Sequence, residues 1–427
     1  MSNIPQNSLQ KNKNLTRIFE IISTIEDPRR TSRHPFESVM MIMICASLGG
    51  ANDSISIEEF GKNHIDWFKK FIKLPFDIPS HDTFTRMINK IHPDKMKQLL
   101  LICGELDFHG CEKKNDSMTA SEAIEKHISI DGKILRALSF SHPITLVRAF
   151  FAKKRKTVGQ VKVGHGTNEI TTIPKLLNLI KPYILGAIIT IDAIGTQRKI
   201  VKQIIELQAD YLLPVKGNQH QLYADLKLFL DDLADGKMPN TPFTHHQTYD
   251  KKGDRIEKRT CWTTGRLKWL HSKDRWKGLQ SISVIETAIT KRKRTIITRR
   301  YYICSLSVHA EVILAISRNH WGIENTLHWP LNVAFREHIS TIRKGRGAEN
   351  FSTLRCLALS LLQNNSAPLS IINKRARAAC NFEYLLELLT DEKIELTVDR
   401  TYPQRIIDYI GCGINFLIKN AYAIGIV

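Results

Sequence analysis

Between residues 127 and 215 the chain changes its hydrophobic period in a fixed order, and that order leaves few folds open. Residues 127 to 131 (HISID) alternate as a strand does and lead into an Asp-Gly pair, read as the turn that ends the strand. Residues 145 to 152 and 157 to 163 have strand character and flank the basic turn KKRK, a hairpin signal. A helix follows from about 170 to 180, with Pro174 in its first turn, where proline is tolerated. Residues 187 to 191 are wholly apolar, the mark of a strand buried on both faces, and they deliver Asp192 at the strand's C-terminal end. Residues 197 to 207 carry apolar side chains at helical spacing, and 211 to 215 form another buried strand.

Three antiparallel strands followed by right-handed crossovers predict an α/β fold with an RNase H-like mixed sheet. Residues 220 to 305 break the rhythm with a charged helix (222 to 233) and β-rich stretches at 255 to 263, 281 to 290 and 295 to 304, which read as an inserted β domain. The run KRKR at 291 to 294 falls at a hairpin turn inside it. Helical pattern returns at 310 to 329 and at 349 to 364, where Leu354, Leu357, Ala358 and Leu361 mark one apolar face. Ahead of the sheet, 39 to 48, 57 to 71 and 83 to 101 form a helical block, with Ser80 or Asp82 as N-cap of its third helix. The division expected is a helical N-terminal domain (1–107), a linker (108–125), the first part of the core (126–219), the insertion (220–305), core helices (306–366) and a tail (367–427).

Charge narrows the partners. The 62 Lys and Arg outnumber the 42 Asp and Glu by 20, a surplus that favours a polyanion, either nucleic acid or an anionic membrane surface. The membrane is the poorer fit, because the longest apolar run, VMMIMICASL at 39 to 48, has ten residues where a spanning helix needs about twenty. That run reads as a buried core helix. It also lies too far into the chain, after too polar a start, for a secretory segment. The eight Cys include no C-x-x-C pair, which argues against a zinc ribbon or a disulfide framework and fits a reducing cytoplasm.

The densest functional stretch is RNHWGIENTLHWPLNVAFREH, residues 318 to 338. Ile316, Ile323 and Leu327 share one helical face there, and Pro330 is expected to end or kink the helix. Asp131 and Asp192 end neighbouring strands, and Glu324, on a helix packed against the sheet, supplies a third carboxylate. Hard divalent cations take oxygen ligands, and three carboxylates around one point can clamp two ions about 3.5 to 4 Å apart for attack at phosphorus. Taken singly, each acid has a plainer reading: a turn aspartate, a helix-capping aspartate, a solvated glutamate.

At this point the sequence resembles the DDE transposases of the H-repeat-associated insertion-sequence type. The matching strings are ISIDGKILR (128 to 136), GQVKV and NEITTIPKLL (159 to 177), GAIITIDAIGTQ (186 to 197), DYLLPVKGNQ (210 to 219) and HWGIENTLHWPLNVAFRE (320 to 337). DPRR, RHPFESVMMIMICASLGG, EEFGKNHIDWFKKF and IPSHDTF match the helical domain that accompanies this family. The resemblance covers residues 20 to 390. It implies catalytic acids at Asp131, Asp192 and Glu324, two Mg²⁺ ions for which Mn²⁺ can substitute, and cleavage and joining of double-stranded DNA at element ends and target. It also implies a homodimer on DNA, in the cytoplasm at the nucleoid. The chain departs from the family's pattern at Asn332, at the Glu337-His338 pair, at Arg136, Ala137 and Leu138, and from residue 391 onward. A DNA-binding remnant without activity, and a nuclease that cuts but does not join, are the alternatives.

Lys216, Asn218 and Gln219, at a strand end, are candidate DNA contacts, as are His320, His328, Arg336, Arg343 and Lys344. His320, Glu324 and His328 recur every four residues on one helix face, yet the H-E-x-x-H signature of zinc hydrolases is missing. Trp321 and Trp329 are read as core anchors rather than base-stacking groups. KKRK and KRKR, with Arg299 and Arg300, are candidate phosphate contacts.

Overall fold

The computed structural model describes residues 13–103, 118–135, 144–292, 294–307, 309–342 and 344–390. All of these belong to one compact unit. The chain opens with helices α1 (Lys13–Ser23), α2 (Phe36–Leu48), α3 (Ser54–Asn63) and α4 (His81–Lys90). The run expected to be a core helix is one: every residue of α2 except Glu37 is buried. No described helix is long and apolar enough to cross a membrane. Helix α3 begins in a capping box between Asp53 and Ser56, while Ser80, at the N-cap of α4, makes no side-chain cap. Part of the expected linker lies outside the described residues, and the rest holds a short helix, α5 (Ala120–Glu125), capped by Thr119 and Glu122.

The sheet follows: β1 (His127–Leu135), β2 (Ile144–Phe151), β3 (Lys156–Lys162), α6 (Glu169–Leu179), β4 (Ile188–Ile191), α7 (Arg198–Glu206) and β5 (Asp210–Val215). Strands β1 to β3 are antiparallel, and β4 and β5 run parallel to β1, giving the RNase H-like order β3-β2-β1-β4-β5. Two local expectations need correction. Pro174 lies inside α6 rather than in its first turn, because Asn168 caps a helix that starts at Glu169. The Asp131-Gly132 pair is not a turn: β1 runs on to Leu135, with Asp131 opposite Arg148 and Gly132 opposite Val147.

After α8 (His220–Ala234) come β6 (Thr244–Lys252), β7 (Arg255–Thr264), β8 (Ser281–Lys291) and β9 (Arg294–Cys304). They do not make a sheet of their own. Strand β9 pairs antiparallel with β5, so one nine-stranded sheet runs β3-β2-β1-β4-β5-β9-β8-β7-β6. The chain then returns through α9 (Ala310–His320), a π-helical turn (Ile323–His328), α10 (Trp329–Val333), α11 (Gly347–Asn364), α12 (Ile371–Cys380) and α13 (Phe382–Thr390).

The sheet separates two cores. On one face Ile128, Ile130, Ile189 and Ile191 pack with Leu176 of α6 and Ile204 of α7. On the other, Ile188, Leu212, Cys261 and Ile285 pack with Ile313 and Ile316 of α9. Around Arg148 of β2 a buried polar network replaces apolar packing. Arg148 Nη2 donates to Glu337 Oε1 at 2.6 Å and to Ser352 Oγ at 2.7 Å, and Arg148 Nε donates to Gln160 Oε1 at 3.2 Å. Both charged side chains are fully buried. Removing one partner strands the other charge, so Arg148→Leu should cost about 3–5 kcal/mol, read as a lower denaturation midpoint. Arg148→Leu combined with Glu337→Leu should recover part of that loss.

Candidate active site

Strands β1 and β4 pair in parallel from His127↔Ile188 to Ile130↔Ile191, so the next residue on each, Asp131 and Asp192, stand side by side just past the last pair. Alternation sends Ile130 and Ile191 into the α6–α7 core and turns both aspartates to the opposite face, where α9 lies. The element continuing from α9 then brings Glu324 and His328 over Asp131. One ligand atom from each of Asp131, Glu324 and His328 lies within 4.8 Å of the others. Asp192 stands outside that group and is held by His320, whose Nε2 lies 3.3 Å from Asp192 Oδ1.

Pro330 does not end this helix, one of the two outcomes expected of it. The chain stays helical through it, because the preceding turn widens to π geometry and Pro330 enters at the start of α10. A proline here has no N–H to return to the carbonyl of Thr326; Gln363 Nε2 on α11 donates to that carbonyl instead, at 2.6 Å.

The acids differ in proton affinity for local reasons. Burial, then the Asp192 charge beside it, pushes Asp131 up to about 7, although Asp131 Oδ1 accepts from the Gly132 amide. The hydrogen bond from His320 holds Asp192 below the usual carboxylate range against the effect of burial, helped by Lys216 and Arg300. The His328 hydrogen bond, with Nδ1 2.9 Å from Oε2, draws Glu324 down to about 2, and Lys133 Nζ sits 3.3 Å from Oε1. Burial lowers the pKa of His328 itself.

Several groups here carry no signal in the sequence. Glu169, the first residue of α6, lies so close to Gly132 that a Cβ there would stand 2.0 Å from its carboxylate oxygen. Glycine at 132 is therefore a close-approach residue, not a turn residue. Burial, then Asp192, raises the pKa of Glu169, which makes a fourth acid at the strand ends. Lys133 and Arg148 are equally hidden, since nothing in a strand's spacing says which distant acid its cations will meet.

The remaining candidates are scattered. Lys216 is exposed and acts electrostatically on Asp192. Asn218 Nδ2 donates to Ala193 O and Gln219 Nε2 to Thr196 O, so both amides brace the loop after Asp192. His328 is fully buried and does not face a ligand as large as DNA, which corrects its place among the DNA contacts. Arg336 and Lys344 are exposed, Arg336 in a left-handed conformation (φ 50°) between buried Phe335 and Glu337. Arg343 is outside the described residues. Trp321 and Trp329 are not core anchors: they are 52% and 60% exposed, and the Arg300 guanidinium lies 5.2 Å from the Trp321 ring centre.

The strand order and the acids on its C-terminal edge define an RNase H-like protein with an acidic edge site. Comparison with known proteins agrees. The family model described as "Transposase DDE domain" matches residues 126–361, and that of the "DDE_Tnp_1-associated" domain matches residues 19–102. The chain is 33% identical over 390 residues to the "H repeat-associated putative transposase YhhI" of Escherichia coli K12, spanning 88% of this chain and 98% of that one. It is 31% identical to the "Putative transposase YncI" of Escherichia coli O157:H7, over 87% and 94% of the two chains. A piggyBac transposase synaptic complex with hairpin DNA aligns at 11% identity over 95% of this chain and 86% of that one, with a TM-score of 0.38, too low to add to the sequence relationship. The chain belongs to the DDE transposases, in the H repeat-associated group.

His127 lies at the base of this site, fully buried, and burial, then the neighbouring His320, drops its pKa to about 3 from an ordinary value of 6.5. It is neutral in the fold, so below pH 6.5 the unfolded chain binds a proton that the folded chain refuses. Its contribution is complete above pH 6.5 and is lost as pH falls towards 3, at up to about 1.4 kcal/mol per pH unit. His127→Gln should flatten the fall of the thermal midpoint across that interval.

Proposed function

We propose that this transposase cuts DNA at element ends and joins the freed 3′ ends to target DNA, acting as a homodimer on DNA at the nucleoid. The observation that supports this reading is the pairing of Asp131 with Asp192 at the ends of adjacent parallel strands, with Glu324 on the same face. The donor set is mainly carboxylate oxygen, which fits Mg²⁺ or Mn²⁺, and Asp131, Asp192 and Glu324 would hold the ions. Bound divalent ions supply charge neutralisation at the scissile phosphate and lower the pKa of an attacking hydroxyl.

The chain's own residues set up the rest. His328 and Lys133 keep Glu324 ionised, and His320 does the same for Asp192. Arg300 and Lys216 lie on the Asp192 side, where they would meet phosphate. A further basic strip runs across the insertion. Lys252, Arg255, Lys291 and Arg294 sit abreast on four strands, each opposite the next. Arg255 also meets Glu257, Nη2 to Oε2 at 3.0 Å, and the row as a whole still gathers like charge that would favour an anion over it. Strand alternation puts this row on the face of Cys261, Ile285 and Arg300, the α9 face, about 20 Å from Arg300 at six residues along the strand. That position would let one duplex reach both. Among the described residues neither Asn332 nor His338 bonds to the three acids.

Asp131→Asn, Asp192→Asn and Glu324→Gln should each abolish strand transfer on a labelled duplex carrying the element end, with Mg²⁺ present and DNA binding retained. Binding with no products from the unaltered chain marks the remnant, and cleavage without joining marks the nuclease. Replacing Lys252, Arg255, Lys291 and Arg294 with Gln should weaken DNA binding and reduce the slope of log affinity against log salt by about 0.9 for each phosphate no longer neutralised. An unchanged slope would remove the strip from the DNA surface.

A further inference from the structure

Beneath the acids runs a continuous chain of hydrogen bonds that starts at one end of α9 and returns to Asp192. Asn319 Nδ2 lies 2.8 Å from His127 Nδ1, His127 Nε2 lies 2.7 Å from Thr190 Oγ1, and Thr190 Oγ1 lies 2.7 Å from His320 Nδ1. The last link is His320 Nε2 to Asp192 Oδ1 at 3.3 Å. His127 and Thr190 are buried, so no bulk water competes for the inner links, while the last link, to Asp192, is open to solvent.

The hydrogens on this chain are not free to choose. An amide nitrogen can only donate, so His127 Nδ1 accepts. Neutral His127 then carries its hydrogen on Nε2 and gives it to Thr190. The threonine hydroxyl has one hydrogen and two imidazole neighbours; having accepted from His127, it donates to His320 Nδ1. His320 therefore carries its hydrogen on Nε2, aimed at the Asp192 carboxylate. The opposite sense would require the Asn319 amide to turn over and would point a bare Nε2 lone pair of neutral His320 at a carboxylate. Two acceptors facing each other at that distance repel.

We propose that Asn319, His127 and Thr190 fix the tautomer of His320 and so make it a positioning residue for Asp192. His320 grips Oδ1 with an Nε2–H donor, and among the described residues no other hydrogen-bond donor engages this carboxylate. The second oxygen is left for a divalent ion. This inference rests on Asp192 as a metal-holding acid, and it adds the groups that aim it. Partners that orient a ligand in this way commonly contribute about ten- to a hundredfold to metal affinity.

The test uses the full chain with ¹⁵N-labelled histidine, metal-free, at pH 8, and reads the His320 tautomer from long-range ¹H–¹⁵N correlations. The expected result is an Nε2–H His320 in the unaltered protein, a mixture of tautomers in Thr190→Val and restoration in Thr190→Ser. In parallel, Mn²⁺ binding without DNA should weaken about ten- to a hundredfold in Thr190→Val and His320→Ala and return in Thr190→Ser. An Nδ1–H or doubly protonated His320 in the unaltered protein overturns the relay, whether or not any variant folds. So does Thr190→Val with unchanged tautomer and unchanged Mn²⁺ affinity. Asp192→Asn reads the underlying assignment separately: if it binds Mn²⁺ as tightly as the unaltered chain, the metal role of Asp192 fails, and with it the purpose assigned to the relay.

Discussion

The parallel pairing of β1 with β4 sets two carboxylates side by side, and much of the site's chemistry compensates for that placement. Two like charges at adjacent strand ends, partly out of water, cannot both stay ionised without help. The compensation is unequal. Asp192 receives an imidazole donor and two nearby cations, whereas Asp131 receives a backbone amide and a buried imidazole whose stronger bond is to Glu324. Glu324 is the best supported of the three, with His328 on one oxygen and Lys133 on the other. The acids are thus graded in proton affinity, Asp131 highest, before any ligand enters.

Placing these groups requires the insertion and the catalytic helix to share a face. Because β9 pairs with β5, strands β6 to β9 extend the catalytic sheet and give α9 a longer floor to pack on. Cys261 and Ile285 of the insertion and Ile313 and Ile316 of α9 belong to one apolar cluster. The same packing puts Arg300 against Trp321, one residue beyond α9. An inserted sheet standing apart, as the β-rich pattern by itself suggests, would leave α9 half covered and Arg300 far from the acids.

Period changes made the strand order legible, and the family strings pointed to the three acids, since runs of ten residues carry their own signal. Contacts between distant segments were not legible. Asp131-Gly132 has the composition of a turn, but the glycine is there because Glu169 approaches it, a fact about a residue 37 positions away (169 minus 132). Pro330 has the look of a helix breaker, and it is the widened turn before it and the distant side chain of Gln363 that let the chain stay helical. Tryptophan is usually buried, so Trp321 and Trp329 have the look of anchors, while both stand exposed in the segment beyond α9. A four-residue period puts His328 beside Glu324, and that contact holds through the π turn, but the period does not show that His328 is buried beneath the acids rather than open to DNA.

Helix α11 explains how the N-terminal helices bear on a site they do not touch. Its residues Gly347 to Leu362 are all buried, although the helix carries Glu349, Asn350 and Arg355, because each polar group has a fixed errand. Asn350 donates to the carbonyls of Ile88 and Ile91 beside α4, and Arg355 to that of Asn52 ahead of α3. Ser352 joins Arg148 and Glu337, directly behind Asp131's partner strand. Gln363 then holds the carbonyl that Pro330 left open, two residues from Glu324. A tilt of α11 therefore moves the support under Asp131 and the turn that carries Glu324 together. Arg375 on α12 reinforces the link by donating to Ser47 and Ala51 on one side and to Ala334 on the other. Buried arginines are expensive to desolvate and give little net stability. What they supply here is register between the helical block and the segment after the catalytic turn, which apolar packing alone, having no direction, would leave loose.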